Sequence, residues 1–464
     1  MKKRDYSPLL AKMAEEYTRH APKSAVLHQQ ASSYLVDGGS HALRLMQPFT
    51  PRIKSAQGAW LQDEDGHHIL DFWQGHFANI LGHNPPVVTG PLAQAFQEGF
   101  GLQSGFTDRL QVEAAALICG ATGTERVRFT TSGTLATMYA ILLARAFTGR
   151  ELVLKVGGGW HGGHPWGLKG VGWRGGYDHV EGMGIPASIS EATLITGYNN
   201  PQMLRDDFQR YGDQLACFIV EPVIGTGGLM PATREYLQAA RELTEQFGVV
   251  LILDEVISGF RFRAGDAGAL YQVRPDMITL GKAIGGGMPV AAVAGRADIM
   301  ALVGRERRDK VKFSGGTYSA HPASMLAAKS ILTYLVENEA QVYSTLAEMG
   351  AETRITVIDA FAEEGVGVRF AGDQNEVLPH SSLHMLLFPF QEGHALETPE
   401  EVRNPAICDI TLSEEVLQLA MLLENVFIMH GLGCISTAHT SEDLQVLGQA
   451  YRRVARRIKP YMST

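Results

Sequence analysis

The sequence predicts an α/β protein, with a large domain built on an open, mostly parallel sheet and a smaller α+β domain made from both chain ends. Three observations carry this expectation. Between about residues 110 and 300, short and wholly apolar runs alternate with helix-like segments, the runs being "RVRFTT", "ELVLKV", "ACFIVEP", "VVLILDEV" and "DMITLGK". Runs without polar alternation suit strands covered on both faces. Second, "TREYLQAARELTEQFG" sets Tyr236, Ala240, Leu243 and Phe247 at helical spacing and stops at Gly248, so a helix joins two such strands. Third, the flanks read differently. "YSPLLAKMAEEYTRHA" is helix-like, "GAWLQDEDGHHILDF" reads as a hairpin around "EDGH", and the tail mixes helical patterns with the strand-like "SLHMLLFPF". The expected division is 1–75 contributing to the small domain, 76–320 as the large ligand-binding domain, and 321–464 as the C-terminal small domain.

Composition sets the bounds. At 464 residues, 45% hydrophobic and 19% charged, the chain has the size and balance of a soluble two-domain enzyme. A net charge of -9 argues against nucleic acid or an anionic membrane as partner. Cys119, Cys217, Cys408 and Cys434 show no CxxC pairing, and neither a signal-like apolar region nor an apolar span of about 18 residues occurs. A reducing, cytoplasmic location is expected. Glycine is abundant, and it clusters around Gly157, Gly170 and Gly285, where backbone is able to approach a ligand closely.

Several short motifs lead nowhere. Gly157, Gly159 and Gly162 satisfy GxGxxG, but the segment after them is too glycine-rich for the helix and second strand that dinucleotide binding requires. Lys282 in "LGKA" lacks the spacing and the following hydroxyl of a P-loop. His161, His164 and His179 have no carboxylate or cysteine at a metal-site spacing, and are expected as loop histidines with hydrogen-bonding roles.

"FTTSGTLATMYAILLARAF" carries more. A strand ends, Ser132, Gly133 and Thr134 turn the chain, and a helix begins with Ala136, Ala140, Leu143 and Phe147 on one face. Free amides, two hydroxyls and the positive helix end form a phosphate site there, unless Ser132 is only an N-cap. Asp254 ends one apolar strand and Lys282 follows the next, so both should reach the same rim as this cradle. Pyridoxal 5'-phosphate uses all three: a lysine for its Schiff base, a carboxylate for its pyridine nitrogen and a cradle for its phosphate.

With these motifs the chain resembles the class III, fold-type I aminotransferases, in the branch that holds glutamate-1-semialdehyde aminomutase and β-amino-acid aminotransferases. "SGTLATM", "GGGWHGGH", "VEPVIG", "DEVISGFR", "TLGKAIGGGMP" and "GTYSAHP" follow in family order. The resemblance implies that Lys282 carries the cofactor and moves protons, and that Asp254 pairs with the ring nitrogen. It implies that Trp160, in its aromatic-His pair with His161, and Val256 flank the ring, and that Ser132, Gly133 and Thr134 hold the phosphate. Glu221 would lie near the lysine linkage. Thr317 would reach the phosphate from a partner subunit, so a homodimer is implied.

The chain also departs from the family. Leu135 stands for the glutamate of SGTEA, Gly157 for a glutamate, Trp160 for the more frequent tyrosine, and Ala320 and His321 for Gly-Asn. Arg44 matches by approximate position an arginine of the aminomutase branch and suits bidentate binding of a substrate carboxylate. The glutamate expected to pair with it is missing, since no acid lies between Asn425 and Ser441. Trp173 and Arg174 alter the segment matching the aminomutase lid. The expected function is an aminotransferase passing nitrogen from an amine or amino acid, β-amino acids included, to a 2-oxo acid by a ping-pong cycle. An intramolecular aminomutase is the alternative, and a non-catalytic scaffold stands last because Asp254 and Lys282 are both present.

Overall fold

The structure, a computed structural model, describes residues 4–462. Near the N-terminus β1 (Ile53–Gln57), β2 (Trp60–Asp63) and β3 (His68–Asp71) form an antiparallel meander. The "EDGH" turn between β2 and β3 needs the positive φ of 95° that Gly66 adopts, and Asp63 Oδ1 accepts from His67 N at 2.8 Å to close it. Val426–Phe427 adds to β3 in parallel, so strands from the two ends of the chain share one four-stranded sheet. The helix Ser7–His20 buries Leu9, Met13 and Tyr17.

The main sheet contains β4 (Arg126–Thr130), β5 (Leu152–Val156), β6 (Thr193–Thr196), β7 (Leu215–Val220), β10 (Val250–Glu255), β11 (Met277–Leu280) and β12 (Ala291–Gly295). A hairpin of two two-residue strands, β8 (Val223–Ile224) and β9 (Met230–Pro231), follows β7. The order across the main sheet is β4-β12-β11-β10-β7-β5-β6. Only β12 runs against the others, so the expected mostly parallel sheet is what forms. Every residue of β7 and β10 is buried, as strands sandwiched between helices require. Each such Leu, Ile or Val contributes about 1.5–3 kcal/mol.

The helix Arg234–Phe247 starts and stops where its sequence directs. The Thr233 hydroxyl caps Tyr236 N, and Gly248 takes the left-handed φ of 63°. Two strands escape the apolar-run criterion: β6 is "TLIT", interrupted by threonines, and β12 is "AAVAG", whose small side chains form no bulky run. On the helix Gly133–Thr148, Ala136, Ala140 and Leu143 are buried as expected, but Phe147 is exposed. It lies in the last turn, where the Arg296 guanidinium covers its ring. "SLHMLLFPF" forms no single strand. It splits into two short pairings, Leu383–His384 with Gly433–Cys434 and Leu386–Leu387 with Arg369–Phe370.

Candidate active site

Parallel strands deliver their carboxyl ends to one rim, and each of these ends carries a polar group. Glu221 follows β7, Asp254 lies in β10 in register with Thr279 of β11, and Lys282 comes two residues after β11. Ser132 follows β4, and Trp160 and His161 sit in the loop after β5. With Arg44 from the N-terminal segment, these residues and Gly133, Thr134 and Val256 line one cavity of about 790 Å³. Thr317 is exposed and is not among the lining residues of this single chain.

Strand alternation separates the two acids of "DEV". Glu255 turns inward, where it accepts from the Ser258 hydroxyl and from Ala267 N and Gly268 N. Asp254 faces the cavity. Its Oδ2 takes a hydrogen bond from His161 Nδ1 at 2.8 Å, while Oδ1 accepts from the Thr279 hydroxyl at 2.8 Å and from Val256 N at 3.2 Å. Burial holds the His161 pKa below its ordinary value despite the neighbouring Asp254. Burial thus favours the neutral ring, which donates through Nδ1 to Asp254.

Glu221 accepts from Trp160 N at 2.8 Å and from Gly225 N at 2.9 Å, which ties the aromatic loop to the end of β7. Burial, and then the charge of Asp254, push its pKa up. Lys282 occupies a positive φ of 45°, unusual for a residue with a Cβ. Burial pushes its amine down from the ordinary lysine value, with Asp254 and Glu221 opposing. An amine so depressed is more readily available as a neutral nucleophile.

Around the helix N-terminus the backbone closes tightly. A Cβ on Gly133 would come within 2.9 Å of Val256 Cγ1, and one on Gly162 within 2.6 Å of Thr134. Ser132 does serve as an N-cap, its hydroxyl accepting from Leu135 N at 3.3 Å. The first amides of the helix still have no intrahelical carbonyl to bond. The loop is braced from below by Lys155, whose buried amine donates to Gly159 O at 2.9 Å, Gly167 O at 3.3 Å and Lys169 O at 2.6 Å. Burial pushes the Lys155 pKa down to about 7. His164 receives Gly167 N on Nδ1, and His179 pairs with Glu181. No cluster of metal-ligating side chains occurs among the described residues.

Sequence reasoning missed four residues that support this site. Thr279 was legible only as part of an apolar strand, and its place beside Asp254 depends on the β10–β11 register. Lys155 lies inside the run "ELVLKV", where a charge amid apolar neighbours was the available signal. Trp73 and His76 line the cavity from "DFWQGHFAN", a segment with neither helical nor strand periodicity. Arg44 reaches the cavity, where its Nε donates to His76 Nε2 at 3.3 Å, and it forms no ion pair among the described residues.

An open parallel sheet presenting a lysine, a buried acid and a helix N-terminus to one cavity defines a fold-type I transferase. Residues 44–372 match the class-III aminotransferase family, and the chain belongs to it. It is 33% identical to the glutamate-1-semialdehyde 2,1-aminomutase of Methanothermobacter thermautotrophicus, over 94% of this chain and 100% of that one. Among solved structures it is similar to an omega-transaminase from Sphaerobacter thermophilus, with TM-score 0.85 and 27% identity, covering 94% and 98% of the two chains. It is likewise similar to a beta-phenylalanine aminotransferase from Variovorax paradoxus, with TM-score 0.82 and 29% identity, covering 97% of each. The family's cofactor is pyridoxal 5'-phosphate, and the donor set fits it. The helix end suits the phosphate, the buried acid a cationic ring nitrogen and the depressed lysine amine an aldehyde.

Proposed function

We propose that this chain is a transaminase that takes the amino group of a carboxylated amine, β-amino acids included, and delivers it to a 2-oxo acid in a ping-pong cycle. The observation that carries this reading is Arg44, a guanidinium in the cavity with no acidic partner among the described residues. A fork left unpaired in this way is available to a carboxylate entering from solvent. Apolar side chains nearby, including Leu43, Ile53, Met288 and Phe427, suit the remainder of such a substrate. The likeness to the beta-phenylalanine aminotransferase supports the same substrate class.

In this reading pyridoxal 5'-phosphate supplies a carbonyl carbon for the amine and an electron-withdrawing ring. Ser132, Gly133 and Thr134 bind the phosphate, and Asp254 holds the proton on the ring nitrogen, with His161 and Thr279 fixing the carboxylate. Trp160 and Val256 would flank the ring and exclude water. Lys282 would hold the cofactor, and its Nζ would take the proton from the substrate carbon that bears the amine. Glu221 orients the Trp160 loop. The site belongs to a large domain over 76–320, with 1–75 and 321–464 forming a smaller one, in a cytoplasmic homodimer in which Thr317 serves the partner's phosphate.

The second reading, an aminomutase that keeps the nitrogen within one substrate, is favoured by the likeness to the Methanothermobacter aminomutase over 94% of this chain. Spectra and products separate the two. Enzyme loaded with pyridoxamine phosphate is given pyruvate or 2-oxoglutarate in one tube and glutamate-1-semialdehyde in another. The proposal expects conversion of the cofactor by an oxo acid with release of an amino acid. Rapid formation of 5-aminolevulinate, with no turnover of any external amine and oxo-acid pair, overturns it.

A further inference from the structure

The segment between β3 and His83 contains four consecutive residues in the left-handed region: Gln74 at φ 44°, Gly75 at 62°, His76 at 62° and Phe77 at 68°. Only one is glycine. Left-handed turns are disfavoured for residues with a Cβ, and single such residues, not runs, are the rule. A run of this kind persists only where its surroundings over-determine it, and here they do. Asp71 accepts from Trp73 N at 2.8 Å and from Gln74 N at 3.0 Å, the Gln74 side chain donates back to Asp71 O at 2.9 Å, and Arg261 Nη2 donates to Phe77 O at 2.5 Å. Gln74 and Phe77 are buried and serve as anchors. His76 is half-buried, and its position would be relaxed as glycine.

The turn carries the His76 ring into the cavity, where it meets three lining residues. Trp73 packs against it at 4.1 Å between ring centroids, His41 meets it nearly edge-on at 4.8 Å, and Arg44 Nε donates to its Nε2 at 3.3 Å. An accepting Nε2 places the ring proton on Nδ1 and requires a neutral imidazole. The environment enforces that state. Burial, and then His41, Arg44, Lys282 and His430, push its pKa down to about 3.

We propose that His76 is a positioning residue, whose imidazole fixes the Arg44 guanidinium in the orientation that receives a substrate carboxylate, and that the left-handed turn Gln74–Phe77 delivers the ring to that point. This rests on the reading of Arg44 as the carboxylate site. With Nε engaged by His76, the two terminal nitrogens of Arg44 remain for a bidentate contact. A neutral acceptor holds the fork without neutralising it, whereas a carboxylate in the same place would compete with the substrate. The pair thus selects donors by charge, and Trp73 and His41 keep the ring from swinging away.

The test uses cofactor-loaded enzyme and calorimetric binding of two probes, 3-phenylpropionate and its uncharged amide, 3-phenylpropanamide, so that no turnover is required. His76→Gly removes the ring while relaxing the backbone. It is expected to weaken carboxylate binding about tenfold, the scale of one hydrogen bond, to leave amide binding unchanged, and to keep Tm within about 2 °C of the parent. His76→Asn tolerates the left-handed conformation and offers an acceptor, so it is expected to restore most of the affinity. Unchanged carboxylate binding in His76→Gly overturns the proposal. Equal weakening for both probes, or a fall in Tm, makes His76 structural and overturns it as well. Arg44→Ala separates the premise from the inference. Carboxylate binding equal to the parent in that variant overturns the Arg44 reading, while a loss there with none in His76→Gly overturns the role of His76 alone.

Discussion

Asp254 and Arg44 line the same cavity and are made in different ways. Asp254 is 3% exposed, lies in a strand whose six residues are all buried, and is held by three donors from β11, the strand end and the β5 loop. Arg44 is exposed and sits in a three-residue helical turn, and its side chain donates one hydrogen bond, to a histidine on a left-handed turn. On the sheet side, position follows from register, so a group in the right place in sequence is in the right place in space. On the N-terminal side, position follows from turns packed across a long sequence separation. Under the proposed function, chemistry and specificity are then held by separate parts of the fold.

The largest effect is expected on the sheet side. Asp254→Asn keeps volume and removes the charge, and a neutral amide cannot hold a proton on a ring nitrogen. Turnover should fall by about 10²–10³-fold, as on loss of one preorganised electrostatic partner, while circular dichroism and Tm change little. Turnover within about tenfold of the parent, or roughly 1.4 kcal/mol, would make Asp254 structural.

A smaller effect is expected one layer further in. Lys155→Met strips the donor from the Gly159, Gly167 and Lys169 carbonyls, at a cost of about 3 kcal/mol for buried acceptors left unpaired. Denaturant unfolding should show that loss, together with weaker retention of the cofactor as the Trp160 loop loosens. A change below about 0.5 kcal/mol, the size of an ordinary surface substitution, would mean that the loop does not need its brace.

The residues show why the two sides differ in legibility. Asp254, Lys282 and the Ser132–Thr134 turn were readable because apolar runs announce strands and a strand end fixes where its next residue emerges. The sheet, its mostly parallel sense and the hairpin of β2 and β3 were readable for the same reason. β12 was not, because "AAVAG" is too small to register as an apolar run. Neither the His161 bond to Asp254 nor the Thr279 bond follows from spacing, since each joins segments set side by side by the sheet. The turn at Gln74–Phe77 was invisible because its conformation opposes the preference of three of its four residues.

The smallest expected effect concerns pH. His161 and His164 are buried on the sheet side, and burial lowers both pKa values, that of His164 to about 4. Unfolded histidines titrate near 6.5, so between about 4 and 6.5 His164 binds more protons in the unfolded chain than in the folded one, and His161 acts in the same sense. Stability from these groups is therefore present above about pH 6.5 and is lost as pH falls toward 4. Between pH 7 and pH 5, His164→Gln should reduce the slope of unfolding free energy against pH by up to about 1.4 kcal/mol per pH unit relative to the parent. A slope unchanged in that variant would assign the acid sensitivity to other groups.

Whether Lys282 carries the cofactor is read by borohydride reduction of the holoenzyme followed by peptide mapping. Borohydride fixes the cofactor to whichever lysine holds it. The label is expected on Lys282, in the peptide spanning "TLGKAIGGGMP", and nowhere else. A label on Lys155 or Lys169, with Lys282 unmodified, would contradict the account.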